Sequence, residues 1–232
     1  DGQNPTMLYG YGGFEVSQLP RYSATTGKAW VGRGGVYALA NIRGGGEFGP
    51  RWHQAALKEN RQRCFDDFIA VAEDLVARGI TSPEHLGIVG GSNGGLLVGA
   101  CMVQRPDLFE AVVCQVPLLD MKRYNKLLAG ASWMAEYGNP DTDDWENFMS
   151  AWSPYQNVDP DADYPKAFFY TSTRDDRVHP GHARKMVARL DEYGKPVYYY
   201  ENTEGGHGMA SNLKQRAYMW ALTYAYLWKM IR

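Results

Sequence analysis

Two rhythms of apolar residues alternate along most of this chain. Short apolar runs at residues 6–9, 36–41, 85–89, 111–116, 167–172 and 197–200 predict strands. The run at 36–41 reads as a buried strand. Between the second and third runs, Phe65, Phe68, Ile69, Ala72, Leu75 and Val76 recur at i, i+3, i+4, i+7, i+10 and i+11. That is one apolar stripe on a helix. Asp66 and Asp67 suit the positive end of that helix, and Gly79 stops it. Further helices are predicted at 96–103, 182–192 and 213–230, the last heavily aromatic, and residues 28–31 read as part of another. Strand and helix in alternation predict an α/β fold, a mostly parallel sheet with helices on both faces. Residues 117–165 break the rhythm. They are rich in Asp, Asn, Pro, Trp and Tyr, with Trp133, Trp145 and Trp152 among them. Short helices and loops that line or cover a site are expected there.

Composition narrows the class without naming a chemistry. The 232 residues fit one α/β domain, and 44% hydrophobic with 22% charged residues is ordinary for a globular protein. A formal net charge of −2 points to no nucleic-acid or membrane-surface partner. The uncharged aromatic run at 217–228 is too short to span a membrane. Cys64, Cys101 and Cys114 are odd in number, form no C-x-x-C, and have no zinc spacing with histidine. Buried free thiols are expected, with a reducing, cytoplasmic compartment favoured. The chain opens on Asp1 and enters its first strand at Thr6, so a segment of a longer protein is expected.

The chemistry centres on Gly90-Gly91-Ser92-Asn93-Gly94, a G-x-S-x-G between a predicted strand and a predicted helix. In that context the motif is a nucleophile elbow, with Ser92 at the tip of a tight turn. The Asn93 amide opens the helix and is free to bind an oxyanion. Gly10-Tyr11-Gly12-Gly13-Phe14, after the first strand, reads either as a plain turn or as a second oxyanion-binding loop. Gly44-Gly45-Gly46-Glu47-Phe48-Gly49 matches G-x-G-x-x-G, but no apolar helix opens after Pro50, and Asp66 and Asp67 begin a helix instead of ending a strand. A dinucleotide site is therefore disfavoured.

A serine nucleophile needs a base, and the base needs an orienting group. Ser92, then Asp175 or Asp176, then His207 follow the serine, acid, histidine order of α/β-hydrolases. Gly205, Gly206 and Gly208 flank His207, whereas His53, His85, His179 and His182 do not follow the final strand. Order alone leaves Asp175 and Asp176 open, with Asp120 as a weaker third.

At this point the sequence resembles the catalytic domain of the prolyl oligopeptidase family of serine peptidases. The resemblance rests on stretches 9–14, 40–47, 64–68, 90–97, 104–109, 175–178 and 206–208, nearly the whole chain. It implies Ser92 as nucleophile, His207 as base and Asp175 as the triad acid. It implies an oxyanion hole from the Asn93 amide and the Tyr11 hydroxyl. It implies that Trp133 stacks on a substrate proline, that Phe14 and Tyr137 line that pocket, and that Arg177 holds a backbone carbonyl of the peptide. No metal or organic cofactor is implied. The expected activity is cleavage on the carboxyl side of proline in short peptides. The alternatives are a carboxylesterase with the same triad or an inactive truncated module. The family's β-propeller, and the strands that precede the Tyr-Gly-Gly-Phe loop, are not found in the sequence. A propeller is expected in a longer parent chain. Met209 stands where a small residue would be less surprising.

Overall fold

A computed structural model describes residues 2–232. Its sheet has six strands, all paired in parallel: β1 (Thr6–Tyr9), β2 (Val36–Leu39), β3 (Leu86–Gly91), β4 (Ala111–Gln115), β5 (Phe168–Ser172) and β6 (Tyr198–Asn202). The spatial order is β2-β1-β3-β4-β5-β6. Helices are α1 (Ala24–Ala29), α2 (Pro50–Gln54), α3 (Gln62–Ala77), α4 (Asn93–Gln104), α5 (Met134–Tyr137), α6 (Ser150–Trp152), α7 (Gly181–Glu192) and α8 (Leu213–Ile231).

Side chains that alternate along each strand build two cores. Leu8, Ile88, Val112 and Phe169 face α3, α4 and α7 with Phe68, Leu97 and Met186. Met7, Val89, Val113 and Phe168 face the opposite way, against Trp30 and Leu227 of α8. This is the α/β-hydrolase fold, a parallel sheet with both faces covered. The chain steps from β1 outward to β2 and then crosses back to β3 on the other side of β1. The sheet therefore has its switch point at β1 and β3, where the carboxyl ends of such strands leave a crevice.

Four local expectations are corrected. Residues 28–31 are not one helix: α1 ends at Ala29, and Trp30 leaves it to bury its indole, donating from Nε1 to the Val36 carbonyl at 2.7 Å. The second strand is an edge strand, ends at Leu39 and is half-exposed, so its apolar residues do not mark a central position. The α3 helix begins at Gln62, and Asp67 lies beyond its first turn. There Asp67 accepts from the backbone and guanidinium of Arg43 and ties the loop after β2 to α3. The last strand runs two residues further than expected, to Asn202, and is the other edge. The stop at Gly79 is as expected. With φ +65 it donates to the Val76 carbonyl while Ile80 donates to Leu75, the paired closure of a Schellman motif. Residues 117–165 do form short helices and turns, with Trp145 and Trp152 buried. Cys64, Cys101 and Cys114 are buried free thiols, and burial pushes Cys64 up to about 12 against the pull of Arg61. No helix among the described residues is long and apolar enough to cross a membrane.

Candidate active site

Ser92 sits between β3 and α4 with φ 60 and ψ −118, a conformation that is strained for a side-chain-bearing residue. Its N–H donates to the Gln115 carbonyl of β4 at 2.9 Å, which helps hold the turn. The turn also needs its flanking glycines. A Cβ on Gly90 would stand 2.1 Å from the Gly94 carbonyl oxygen, backbone against backbone. As the first residue of α4, Asn93 has an N–H with no intrahelical partner.

The loops after β5 and β6 bring the other two groups to Ser92. His207 Nε2 lies 3.0 Å from Ser92 Oγ, and His207 Nδ1 lies 2.8 Å from Asp175 Oδ2. The Asp175 carboxylate is buried and fully engaged: its Oδ1 accepts from the N–H groups of Arg177 and Val178, each at 2.9 Å. Asp175 Oδ2 can only accept, so Nδ1 carries the imidazole proton and Nε2 is left to accept from the serine. An imidazole held this way can remove the hydroxyl proton. Asp176 is exposed and does not reach His207. Asp120 is buried elsewhere. Burial works to raise its pKa, but Lys185 and Gln156 outweigh it and hold the carboxyl below its ordinary range.

Tyr11 follows β1, and its phenol stands beside the Ser92 hydroxyl. Burial and then Tyr9 push its pKa above the ordinary value, with Arg61 pulling against them. The phenol is therefore protonated at neutral pH and able to donate. Phe14 and Trp133 meet edge to face at 6.5 Å, both half-buried. Tyr137 meets Phe14 at 5.6 Å but has no exposed surface, so it stands behind Phe14 and does not line an open pocket. Its hydroxyl donates instead to Asn93 Oδ1 at 2.7 Å. The Arg177 side chain is exposed and forms no ion pair among the described residues, while its carbonyl accepts from Ala129 in the turn that leads to Trp133. Two surface grooves lie against α1 and α8 with Trp220 and Tyr224, and neither is lined by Ser92 or His207.

Sequence reasoning passed over three residues here. Asn202, at the end of β6, accepts from Glu204 and Gly205 and donates to the Met209 carbonyl at 3.0 Å, bracing both sides of the His207 loop. Met209 itself has φ 67, the left-handed backbone that makes a large residue unexpected there. Arg61 and Glu136 pair beneath the site at 3.0 Å, and neither carries a local signal. A charged residue at a helix start ordinarily reads as solvated.

The comparisons with known proteins come to one place. The sequence matches the model of the prolyl oligopeptidase family over residues 20–232. An uncharacterized peptidase from Sinorhizobium fredii is 59% identical over 231 residues, which cover 100% of this chain and 32% of that protein. A prolyl endopeptidase from Elizabethkingia miricola is 43% identical, over 93% of this chain and 31% of that one. A solved post-proline cleaving enzyme from Rickettsia typhi superposes with a TM-score of 0.96 at 45% identity, over 100% of this chain and 34% of its own. This chain thus spans about a third of the length of the curated relatives it matches. A match over residues 20–232, on this fold, means that the chain belongs to the prolyl oligopeptidase family.

Proposed function

We propose that residues 1–232 form the catalytic domain of a serine peptidase that cleaves on the carboxyl side of proline in short peptides. The observation that carries this reading is the Ser92–His207–Asp175 relay, 3.0 and 2.8 Å, on the elbow of β3. His207 Nε2 takes the Ser92 proton as Oγ attacks the carbonyl carbon of the proline residue. The Asn93 amide and the Tyr11 hydroxyl stabilise the negative charge that develops on the carbonyl oxygen. The C–N bond breaks, and His207 returns its proton to the leaving amine. His207 then takes a proton from water, the resulting hydroxide attacks the acyl-enzyme, and Ser92 regains its proton. Trp133 and Phe14 offer flat apolar faces to the proline ring, and Arg177 offers its free guanidinium to a peptide carbonyl. The names of the relatives support the choice of proline. A β-propeller in a longer parent chain belongs to the same reading, supported by the share of the relatives' length that this chain spans. Three buried free thiols support a reducing, cytoplasmic compartment.

The test compares hydrolysis of a blocked Gly-Pro chromogenic peptide with that of a p-nitrophenyl ester, by this chain and its Ser92→Ala variant. Cleavage of the peptide that disappears with Ser92→Ala is the expected result. Ester cleavage alone would move the chain to the esterases.

A further inference from the structure

Beneath the site lies a charge that the reaction above does not use. Arg61 is fully buried where the chain enters α3. Its Nη1 donates to Glu136 Oε1 at 3.0 Å and its Nη2 to Asn93 Oδ1 at 2.5 Å. Glu136, 5% exposed, lies in α5 just past Trp133. Its Oε1 also accepts from the Phe14 N–H at 2.9 Å, and its Oε2 meets His53 Nε2 at 2.7 Å. Asn93 Nδ2 donates to the Tyr11 carbonyl at 2.5 Å. A run of hydrogen bonds therefore leaves the backbone of Phe14, passes through Glu136, Arg61 and Asn93, and returns to the backbone of Tyr11. Both ends lie on one loop.

Two observations give this run a task. Phe14 and Glu15 have φ of 55 and 57. Side-chain-bearing residues keep the left-handed conformation only where their surroundings over-determine it, and the Phe14 N–H is one of the groups Glu136 holds. A buried ion pair is also a poor source of stability, since apolar residues of similar size commonly do as well. Apolar residues here would leave the Phe14 N–H without its acceptor and Asn93 Oδ1 without one of its donors. One arm of Arg61 thus reaches the ring-binding side of the cleft and the other reaches the oxyanion side.

We propose that Arg61 and Glu136 are positioning residues that couple the oxyanion loop to the Phe14–Trp133 pocket, so that selectivity for proline is set through this buried pair. This rests on the post-proline reading. Glu136 fixes Phe14 against Trp133. Arg61 passes that position on to Asn93 and Tyr11.

The test measures kcat and KM of Arg61→Lys, Glu136→Met and Glu136→Gln on blocked Gly-Pro and Gly-Ala chromogenic peptides, the rate of Ser92 labelling by a small fluorophosphonate, and Tm. A misplacement of the pocket by a fraction of an ångström is expected to cost about tenfold or more. Glu136→Met should lower the proline-to-alanine selectivity by that factor, chiefly through KM. Glu136→Gln, which keeps an acceptor for Phe14, should restore it. Arg61→Lys cannot reach both partners, and should slow kcat on both peptides and fluorophosphonate labelling together. Folded variants with wild-type selectivity and labelling overturn the proposal, as do losses that only follow the fraction of folded protein. If Glu136→Met does not fold, Arg61→Lys decides by the same readouts. If the wild type cleaves neither peptide, the post-proline reading falls by itself. The pair is then judged on labelling, and an unchanged rate in Arg61→Lys removes it.

Discussion

The two oxygens of Asp175 have different tasks, and a single-atom change separates them. Oδ1 is held by two backbone N–H donors and Oδ2 faces His207 Nδ1. In Asp175→Asn the side-chain carbonyl would take the Oδ1 place, because only an acceptor satisfies the Arg177 and Val178 amides. The new NH2 group would then point at Nδ1 and make it an acceptor. The ring proton moves to Nε2, which can no longer accept from Ser92. The fold should survive with Tm little changed, while kcat falls on the order of 10⁴-fold. A folded variant with activity within tenfold of wild type would show that Asp175 does not set the tautomer. Ser92 and His207 were legible because their order along the chain and their small flanking residues are local signals, whereas order left Asp175 and Asp176 open and only the family resemblance chose between them. Arg61 was not legible. Its partners Glu136 and Asn93 lie 75 and 32 positions away, and only the fold shows that a charge at position 61 is enclosed.

Elements were legible where one face is buried and the other is wet. The α3 stripe of Phe65, Phe68, Ala72 and Leu75 is such a case, and all four are buried. Its first turn carries no such stripe: Gln62 and Arg63 are polar, so the start was placed too late. The edge strand β2 was misplaced in depth for the opposite reason, since apolar residues on a half-exposed edge look like those of a central strand. A cap is a local signal of the same kind as a stripe. Asn212 opens α8 by accepting from the Gln215 N–H at 3.0 Å. Asn212→Ala should cost about 1 kcal/mol. For a domain of this size that is a fall in Tm of about 2–4 °C. Thermal unfolding followed by circular dichroism checks it, and no shift would mean that α8 gains its start from packing alone.

On the scale of the whole molecule, stability toward acid depends on a histidine outside the relay. His182 is buried, and its Nδ1 accepts from the N–H groups of Leu119 at 3.2 Å and Asp120 at 3.0 Å. Burial lowers its pKa from 6.5 to about 4, with Asp120 pulling the other way. Protonation would remove the acceptor, so the folded state resists it while the unfolded chain takes the proton freely. The contribution is therefore complete above pH 6.5 and is lost as pH falls toward 4. The loss amounts to about 3 kcal/mol once pH has fallen to the lower end of that window. His182→Asn, which keeps an acceptor but does not titrate, should flatten this part of the pH dependence of urea unfolding. Equal slopes in the variant and the wild type would remove His182 from the account.

The spread of the relay along the chain has a consequence for synthesis. Ser92 precedes its base by 115 residues, and His207 lies beyond β6, the sixth strand among the described residues. A ribosome-bound chain presents the serine early, but the imidazole only after β6 has been made and has joined the edge of the sheet. Until then the proposed peptidase holds a hydroxyl with nothing to take its proton. Hydrolysis by the proposed peptidase therefore waits for β6 and the loop that carries His207 to join the sheet, when these segments are no longer extended.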